Sequence, residues 1–221
     1  MNPTVAIINA TPASMAPAAR GLAREFPEAA AWHLLDDRLV GEADAAGGMT
    51  GPLRLRMLRL IDHAVQEGAD AVLLSCSMYG PVAALARQIY EVPVLGSDEA
   101  MFTRVVEEGP RRALVVGSLD SAVADSMHRL TAALGGIDVD LEGVTAQGAA
   151  AAAAAGDHDA LLVSLVSAVK PHMADDPLVL LAQYSLTTAD TGLQDALGAA
   201  VLSPPQAAAR ALRARLLGER P

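Results

Sequence analysis

Two similar stretches of the chain guide the interpretation of the whole sequence. Residues 72–80 read VLLSCSMYG and contain Cys76, the single cysteine among 221 residues. Residues 179–187 read VLLAQYSLT and have Gln183 where the first stretch has the cysteine. Each stretch is an apolar run followed by a small residue, one variable position and then polar residues. The similarity indicates two halves of a duplicated unit, one carrying a thiol and the other a carboxamide.

Short apolar runs rich in Val, Ile and Leu recur along the chain and are followed by helix-like stretches. Apolar runs of about four residues without alternation are typical of strands buried on both faces of a parallel sheet. They predict strands at residues 5–8, 71–74, 92–95, 113–116, 178–181 and 200–202. Apolar residues at helical spacing predict helices over residues 54–68, 81–90, 120–134, 158–172 and 204–217, with Asp120 and Asp157 as caps. Strands that alternate with helices define an α/β fold.

The predicted strands repeat at a fixed spacing. The corresponding strand positions are Val5 and Ala113, Val72 and Val179, and Val94 and Val201, and their spacings agree within one residue. Three such agreements predict a duplicated α/β unit. We therefore expect two pseudo-symmetric, doubly wound parallel-sheet domains. The first comprises residues 1–100 with 203–221, because the final helix packs back on the first copy, and the second comprises residues 101–202.

The composition argues against several classes of partner. The net charge is −10 at pH 7, so the chain lacks the basic face that nucleic acids and anionic membranes require. The aromatic content of 3% leaves no stacking platform for bases. The apolar runs are too short to cross a bilayer, and no basic and then apolar leader follows Met1. A single cysteine cannot form an internal disulfide, so we expect a soluble protein of the reducing cytoplasm.

Polar side chains follow the predicted strands, at the edge where open parallel sheets bind ligands. The loops carry Asn9, Thr11, Ser75, Ser77, Ser118, Ser121, Gln183, Tyr184 and Ser185. Backbone N–H groups at helix starts, together with short hydroxyl side chains, bind carboxylates well. There is no Walker-type loop and no G-x-G-x-x-G turn, and the five histidines lack metal-ligand spacing. The sequence thus favours a small carboxylic acid as ligand over a nucleotide or a metal ion.

Cys76 is the main catalytic candidate. The thiolate is the reactive form of cysteine, and a helix N-terminus lowers the thiol pKa from about 8.5. Cys76 follows a buried strand and precedes the helix predicted from Pro81, although a buried cysteine can also be a purely structural apolar residue. Gln183 cannot ionise near neutral pH, but it can donate a hydrogen bond to an enolate or a carboxylate, or merely fill the space of a lost thiol. Tyr184 and Ser185 are the neighbouring hydroxyls that could carry a proton; alternatively, Tyr184 packs at a domain interface.

The duplicated unit, with its LLSCS motif and the echo of that motif in the second half, resembles the aspartate/glutamate racemase superfamily. This superfamily includes amino-acid racemases, hydantoin racemases, maleate isomerases and arylmalonate decarboxylases. The resemblance covers nearly the whole chain and implies a cofactor-independent enzyme with its active site in the cleft between two domains, and a homodimer. It implies that Cys76 is the first catalytic cysteine. The residues that it implies as substrate contacts are Asn9, Thr11, Ser75, Ser77, Ser118 and Ser121.

Gln183 is the departure from the superfamily pattern, because it lies where the second cysteine belongs. Racemisation by two bases needs a thiolate on one face of the substrate and a thiol on the other. We therefore expect an isomerase or racemase-like enzyme that acts with a single thiol at a carbon next to a carboxylate. The alternatives are a decarboxylase of a malonate-type acid in the same scaffold, and a protein that binds a small acid without catalysis. The HLLDD segment (residues 33–37) and the LAQYS phrase also resemble an uncharacterised racemase-like branch.

Overall fold

Parallel strands form a separate four-stranded sheet in each half of the chain. The structure is a computed structural model that describes residues 2–218. It divides the chain into two compact units. The first is the chain up to Ala100 together with the chain from Pro205 onward, and the second is Met101–Pro204.

The sheet of the first unit has the strand order β2-β1-β3-β4, with every pairing parallel. Its strands are β1 (Thr4–Asn9), β2 (Ala30–Leu35), β3 (Ala71–Leu74) and β4 (Val94–Leu95). The helices that connect them are α1 (Met15–Glu25), α2 (Arg38–Ala45), α3 (Gly51–Gln66) and α4 (Gly80–Ala86). Short 3-10 turns, Pro12–Ser14 and Ser77–Tyr79, precede α1 and α4. Because the strands are parallel, their carboxyl ends lie along one edge of the sheet.

Helix α5 (Glu99–Glu108) leads the chain into the second unit, whose sheet has the order β6-β5-β7-β8. Its strands are β5 (Arg112–Gly117), β6 (Asp140–Thr145), β7 (Leu178–Leu181) and β8 (Val201–Leu202). Its helices are α6 (Asp120–Leu134), α7 (Ala149–Ala155), α8 (His158–Val169) and α9 (Asp190–Leu197), with 3-10 segments at Lys170–His172 and Tyr184–Ala189. The last helix is α10 (Pro204–Leu217). None of the helices within residues 2–218 is both long and apolar enough to cross a membrane.

The two sheets repeat the same topology, so the expected α/β fold with two similar domains is confirmed. Each sheet places its first strand between the second and the third, and its fourth strand beside the third. The register repeats as well, since Val72 is paired with Val94 in the first sheet and Val179 with Val201 in the second.

Each sheet has its own hydrophobic core. All four residues of β3 and all four of β7 are buried, which explains why these strands read as unbroken apolar runs. In the first core, Met57 and Ile61 of α3 are fully buried against the sheet; in the second, Leu161 and Leu165 of α8 are. Burying each such side chain contributes about 1.5–3 kcal/mol. The loops at the carboxyl ends of β3 and β7 thus extend from strands that are buried in the two hydrophobic cores.

Several elements differ from the sequence-based expectation. The outer strands β2 and β6 were not expected, because both are half-exposed and neither is a continuous apolar run. Helix α4 ends at Ala86 rather than at residue 90, and the turn Ser77–Tyr79 separates it from Cys76. Asp157 caps α8 as expected, since its carboxylate accepts from the N–H of Ala160 at 3.0 Å. Asp120 does not cap α6: it is the first helical residue, and its carboxylate accepts from Oγ1 of Thr145 at 2.6 Å.

Helix α10 packs on α1 and on the segment that follows it through two ion pairs and one close backbone approach. Arg210 donates to both carboxylate oxygens of Glu25, at 2.7 and 2.9 Å, and Arg213 donates to Glu28 at 2.9 Å. A Cβ atom on Gly21 would lie 2.7 Å from Cβ and 2.8 Å from the carbonyl carbon of Pro205. The close contact between α1 and the start of α10 therefore requires a glycine at position 21.

Gly21→Ala is expected to lower the free energy of unfolding by about 1–3 kcal/mol, because the added methyl meets backbone that cannot move without shifting α10. Urea unfolding followed by circular dichroism measures this change. Gly41→Ala is the matched control: Gly41 lies in α2, and a Cβ atom added there would meet no other atom within 4 Å. The higher helix propensity of alanine should therefore leave this variant as stable as the wild type or more stable. Equal stability of the two variants would contradict the prediction.

Candidate active site

Cys76 lies at the carboxyl end of β3, where the strand passes into the turn that leads to α4. Its backbone is extended (φ −114°, ψ 121°), and its carbonyl accepts from the N–H of Tyr79 at 3.1 Å. The side chain is half-buried and packs, like that of Met78, against the first hydrophobic core. The Cys76 side chain is thus in contact with the core on one side and partly exposed to solvent on the other. Helix α4 begins at Gly80, one residue before the expected start at Pro81, and Cys76 is the residue before the 3-10 turn Ser77–Tyr79 that leads into it.

Tyr79 ties the Cys76 turn to α2. Its ring is fully buried, and its hydroxyl donates to the carbonyl of Leu39 at 2.9 Å. Burial, followed by the negative charge of a nearby Cys76 thiolate, raises the pKa of Tyr79 to about 12. The phenol therefore remains protonated at neutral pH and acts as a hydrogen-bond donor, not as a base.

A buried polar cluster lies directly behind Cys76 and consists of Asn9, Ser14 and Ser75. The Oδ1 atom of Asn9 accepts from Oγ of Ser75 at 3.0 Å and from Oγ of Ser14 at 3.2 Å, and the two hydroxyl oxygens are 2.9 Å apart. The two hydrogens on Nδ2 of Asn9 are shared among three acceptors, which are the carbonyls of Ile7 at 2.8 Å and Leu34 at 3.2 Å and the Nδ1 atom of His33 at 3.1 Å. The cluster joins the carboxyl ends of β1, β2 and β3.

Two of the predicted substrate contacts, Asn9 and Ser75, belong to this cluster and are buried. Their side chains are hydrogen-bonded to one another and to other protein atoms. This geometry suits a structural role: the bond to Asn9 fixes Ser75, the residue directly before Cys76. Thr11 and Ser77, two other predicted contacts, are half-exposed at the same edge of the sheet. Of the four contacts predicted in this unit, these two are the ones with partly exposed side chains.

His33 of β2 is attached to the same cluster. Its Nδ1 atom lies 3.1 Å from Nδ2 of Asn9, which has the hydrogen to donate, so the neutral ring carries its proton on Nε2. Burial lowers the pKa of His33 below its ordinary value of 6.5. A protonated ring would lose the Nδ1 acceptor that faces Asn9. The scattered histidines of the sequence therefore include one that is tied to the candidate site.

The pKa shift of His33 makes the stability of the protein depend on pH. Below pH 6.5 the unfolded chain binds a proton at His33 before the folded chain does, so the free energy of unfolding is expected to fall as the pH drops below that value. The fall from this residue ends once the pH is below the folded-state pKa. Urea unfolding at several pH values between about 7 and 5 should show a smaller fall for His33→Gln than for the wild type. Identical slopes in the two proteins would contradict the assignment.

Gln183 lies at the carboxyl end of β7, the strand that corresponds to β3. It precedes the 3-10 segment Tyr184–Ala189 with an extended backbone (φ −138°, ψ 139°). Its Oε1 atom accepts from the backbone N–H of Ser118 at 2.8 Å and from the hydroxyl of Ser118 at 2.9 Å. Because a carboxamide is planar, these two bonds fix its orientation and turn the Nε2 donors away from Ser118.

The small residue at the end of β5 permits this arrangement. A Cβ atom on Gly117 would lie 2.7 Å from Cγ2 of Val123 and 3.6 Å from Oε1 of Gln183. A larger residue at this position would push α6 away and displace the residue that follows it, Ser118. Gly117 occupies the position that corresponds to Asn9 in the first unit, so the two halves hold their loops by different means.

The other predicted residues of the second unit differ in exposure. Tyr184 is buried, with 3% of its surface exposed, and its carbonyl accepts from Oγ1 of Thr187 at 2.9 Å. Ser185 is half-exposed in the same 3-10 segment, whereas Ser121 is exposed on α6. Of Tyr184 and Ser185, the two hydroxyls that follow Gln183 in the chain, only Ser185 is partly exposed.

Cys76 and Gln183 have equivalent positions within their units. Each is the second residue after the third strand of its sheet, has an extended backbone, and precedes a 3-10 segment. Ser14 and His33 were not recognised from the sequence. The strand that carries His33 lacks a clear apolar pattern, and the hydroxyl of Ser14 is one of many in loops.

Solved structures of racemases share the fold of the whole chain. An allantoin racemase from Klebsiella pneumoniae is 17% identical, with 98% of this chain and 89% of that chain covered, and has a TM-score of 0.74. An aspartate racemase from Picrophilus torridus is 13% identical over 99% of this chain and 95% of that chain, with a TM-score of 0.75. A glutamate racemase from Bacillus anthracis is 14% identical over 98% of this chain and 82% of that chain, with a TM-score of 0.71. At these identities the likeness establishes the fold. Comparison with curated protein sequences gives no match.

The fold is thus that of the racemases with two similar α/β domains. The sequence model of the Asp/Glu/Hydantoin racemase family matches residues 8–212, which include both repeated halves. The chain belongs to the Asp/Glu/Hydantoin racemase family.

Proposed function

We propose that this chain is a cofactor-independent, racemase-like isomerase that acts at a carbon next to the carboxylate of a small acid, with the thiol of Cys76 as its proton carrier. The observation that carries the proposal is the equivalence of Cys76 and Gln183 in the two halves, of which only Cys76 can take up and return a proton. Family membership supports the reaction type. A working thiol needs reducing surroundings, so we propose the cytoplasm as the place of action.

Each unit offers a substrate carboxylate hydrogen-bond donors that are not used within the protein. In the first unit these are Thr11 and Ser77, which are half-exposed. In the second unit they are Ser185 and the Nε2 donors of Gln183. Asn9, Ser75 and Ser118 act as positioning residues, because their side-chain hydrogen bonds are directed at protein atoms.

In the reaction, the Cys76 thiolate removes the proton from the α-carbon. The electron pair of the broken C–H bond moves into the carboxylate, which becomes an enediolate with negative charge on its oxygens. Donors that are fixed before the reaction stabilise this charge without reorganisation, and Gln183, oriented by Ser118, is such a donor. The proton then returns to carbon from the Cys76 thiol.

The stereochemical outcome follows from the single proton carrier. A thiol on one face of the carbon can exchange its proton for one from solvent and return it to that same face. The expected reaction on a chiral acid is therefore exchange of the α-proton with retention of configuration. On an unsaturated acid such as maleate, the Cys76 thiolate instead adds to one carbon of the double bond, the remaining C–C single bond rotates, and the C–S bond breaks as the double bond re-forms in the trans isomer. Inversion would require a second proton carrier on the opposite face.

A decarboxylase of malonate-type acids is the second candidate. Loss of CO₂ leaves the same enediolate without any initial proton removal, so the reaction needs one proton, delivered once. The single thiol therefore supports this candidate as well as the isomerase. A protein that binds a small acid without turnover is the remaining outcome of the test.

The test is proton NMR in D₂O with purified protein and aspartate, glutamate, maleate, 5-substituted hydantoins and substituted malonates. Deuterium at the α-carbon with unchanged chirality, or conversion of maleate to its trans isomer, absent in Cys76→Ser, is the result expected for the proposed enzyme. Loss of CO₂ with deuterium in the product identifies the decarboxylase. Inversion at the α-carbon would contradict the role of Gln183, and saturable binding without any reaction would identify a binding protein.

A further inference from the structure

A leucine occupies an unusual place in the second unit, next to the residue that orients Gln183. Leu119 directly follows Ser118 and precedes the first residue of α6, and 53% of its surface is exposed. A single exposed leucine needs no explanation by its exposure alone. This one lies at the carboxyl end of β5, at the edge of the sheet where Gln183 and Ser185 are also found.

The loops along this edge lack positive charge. The segments that follow the four strands of the second sheet are residues 118–119, 146–148, 182–189 and 203, and they contain no Lys, Arg or His. The ring of His158, at the start of α8, touches the hydroxyl of Thr188 at 3.3 Å. Backbone and hydroxyl donors can hold one carboxylate here, but a second carboxylate has no guanidinium or ammonium partner within these loops.

The corresponding edge of the first unit is acidic. Arg56 is fully engaged there, since it donates to Asp36 at 2.6 Å and to Glu42 at 3.0 Å. Arg38 also pairs with Glu42, and Asp37 adds a further carboxylate beside Arg38. An additional carboxylate brought to this edge by a substrate would meet carboxylates and neutralised arginines, and an unpaired charge is costly to desolvate.

The first unit also presents a leucine at this edge. Leu35 is the last residue of β2, its register partner is Asn9, and 43% of its surface is exposed. Both units therefore combine hydroxyl donors with an exposed leucine and offer no unpaired arginine or lysine among the residues described above.

We infer that the substrate has one carboxylate and an uncharged, apolar substituent on the reacting carbon, and that this substituent packs on Leu119. This inference rests on the isomerase proposed above and narrows its substrate class; a malonate, the substrate of the second candidate, has two carboxylates and does not fit it. The absence of positive charge from the loops of the second unit argues against a dicarboxylate, and the exposed leucine argues for an alkyl or aryl group. Apolar contact with a substituent of this size changes affinity about tenfold or more.

The first test is calorimetric titration of the full chain with two unreactive acids, 4-methylpentanoate and glutarate. We expect the apolar acid to bind about tenfold more tightly to the wild type. Leu119→Arg should narrow or reverse this preference. Val163→Arg, at an exposed apolar residue of α8, is the matched control and should keep it. His158→Gln should also keep the preference for the apolar acid; this variant tests whether the imidazole beside Thr188 contributes to it.

A milder variant guards against a folding defect in Leu119→Arg. Leu119→Ser introduces a residue that is favoured before a helix, and it should weaken binding of 4-methylpentanoate while leaving glutarate unchanged. The inference is overturned if glutarate binds the wild type as tightly as the apolar acid, if neither acid binds, or if both Leu119 variants keep the wild-type preference.

Exchange in D₂O separates this inference from the proposed function. Methionine and glutamate are compared, because their side chains are similar in length and differ in charge. Faster exchange of glutamate would preserve the proposed function and overturn the substrate class. The expected binding preference without exchange of any acid would preserve the ligand class and overturn the proposed catalysis.

Discussion

Replacing Cys76 by serine is expected to lower the rate of α-proton exchange about 10²–10⁴-fold, the usual contribution of a general acid–base group. A serine hydroxyl is nearly the size of the thiol, but it does not ionise near neutral pH. The fold should be retained, because the core beneath Cys76 consists of β3 and its neighbours and does not depend on the sulfur. Affinity for a small carboxylate should change little, since the proposed carboxylate donors are other residues.

Met78→Leu is the matched control for this experiment. Met78 lies in the same turn and packs against the same core as Cys76, but it has no ionisable group. Its replacement by leucine conserves volume closely and should leave exchange near the wild-type rate. Rates are measured by NMR, and folding by circular dichroism. Exchange in Cys76→Ser at the Met78→Leu rate would remove Cys76 from the mechanism.

Gln183→Glu is expected to lower kcat/KM about 10²–10³-fold, the loss that follows removal of one fixed donor to a developing oxyanion. One carboxylate oxygen can replace Oε1 and keep both hydrogen bonds from Ser118, so the loop should retain its shape. The other oxygen then presents a negative charge where the wild type presents N–H groups. Steady-state kinetics with the substrate found by NMR measures the effect.

The pH dependence of Gln183→Glu distinguishes a lost donor from a damaged fold. As the pH falls toward the ordinary glutamic acid pKa of about 4.3, the side chain becomes protonated and regains a donor. The rate of the variant relative to the wild type should therefore rise as the pH falls. Ser118→Ala is a further comparison: the backbone N–H of residue 118 still holds Oε1, so its effect should be smaller. A pH-independent ratio would contradict a donor role for Gln183.

The buried strands and the duplication could be predicted from the sequence, because a strand buried on both faces must be apolar throughout. The runs at β3 and β7 show this directly, and their repeat revealed the common topology of the two sheets. Strands β2 and β6 were missed, since an outer strand that is half-exposed mixes polar with apolar residues. Helix α1 was missed as well. It contains Pro17 and Gly21, which disfavour a helix locally, and Gly21 is there to accommodate Pro205.

The candidate site was predicted in part, as a set of polar residues after strands. Which of them face a ligand depends on contacts between residues far apart in the chain. Ser75, after β3, donates a hydrogen bond to Asn9 at the end of β1. Ser118, after β5, donates one to Gln183, which follows β7. No local pattern carries that information, because a hydroxyl in a loop has the same sequence signature whether it binds protein or substrate.

The fold class, the repeat, and the pairing of a thiol in one half with a carboxamide in the other all follow from the order of residues alone. These features depend on local residue identity and on hydrophobic burial, which a one-dimensional pattern records. The folded chain was needed to show that His33 joins the cluster of Asn9, Ser14 and Ser75 and that the side-chain oxygen of Gln183 is bound by Ser118. Hydrogen bonds are directional and short, so their partners are chosen by the register of the strands and the packing of the sheet.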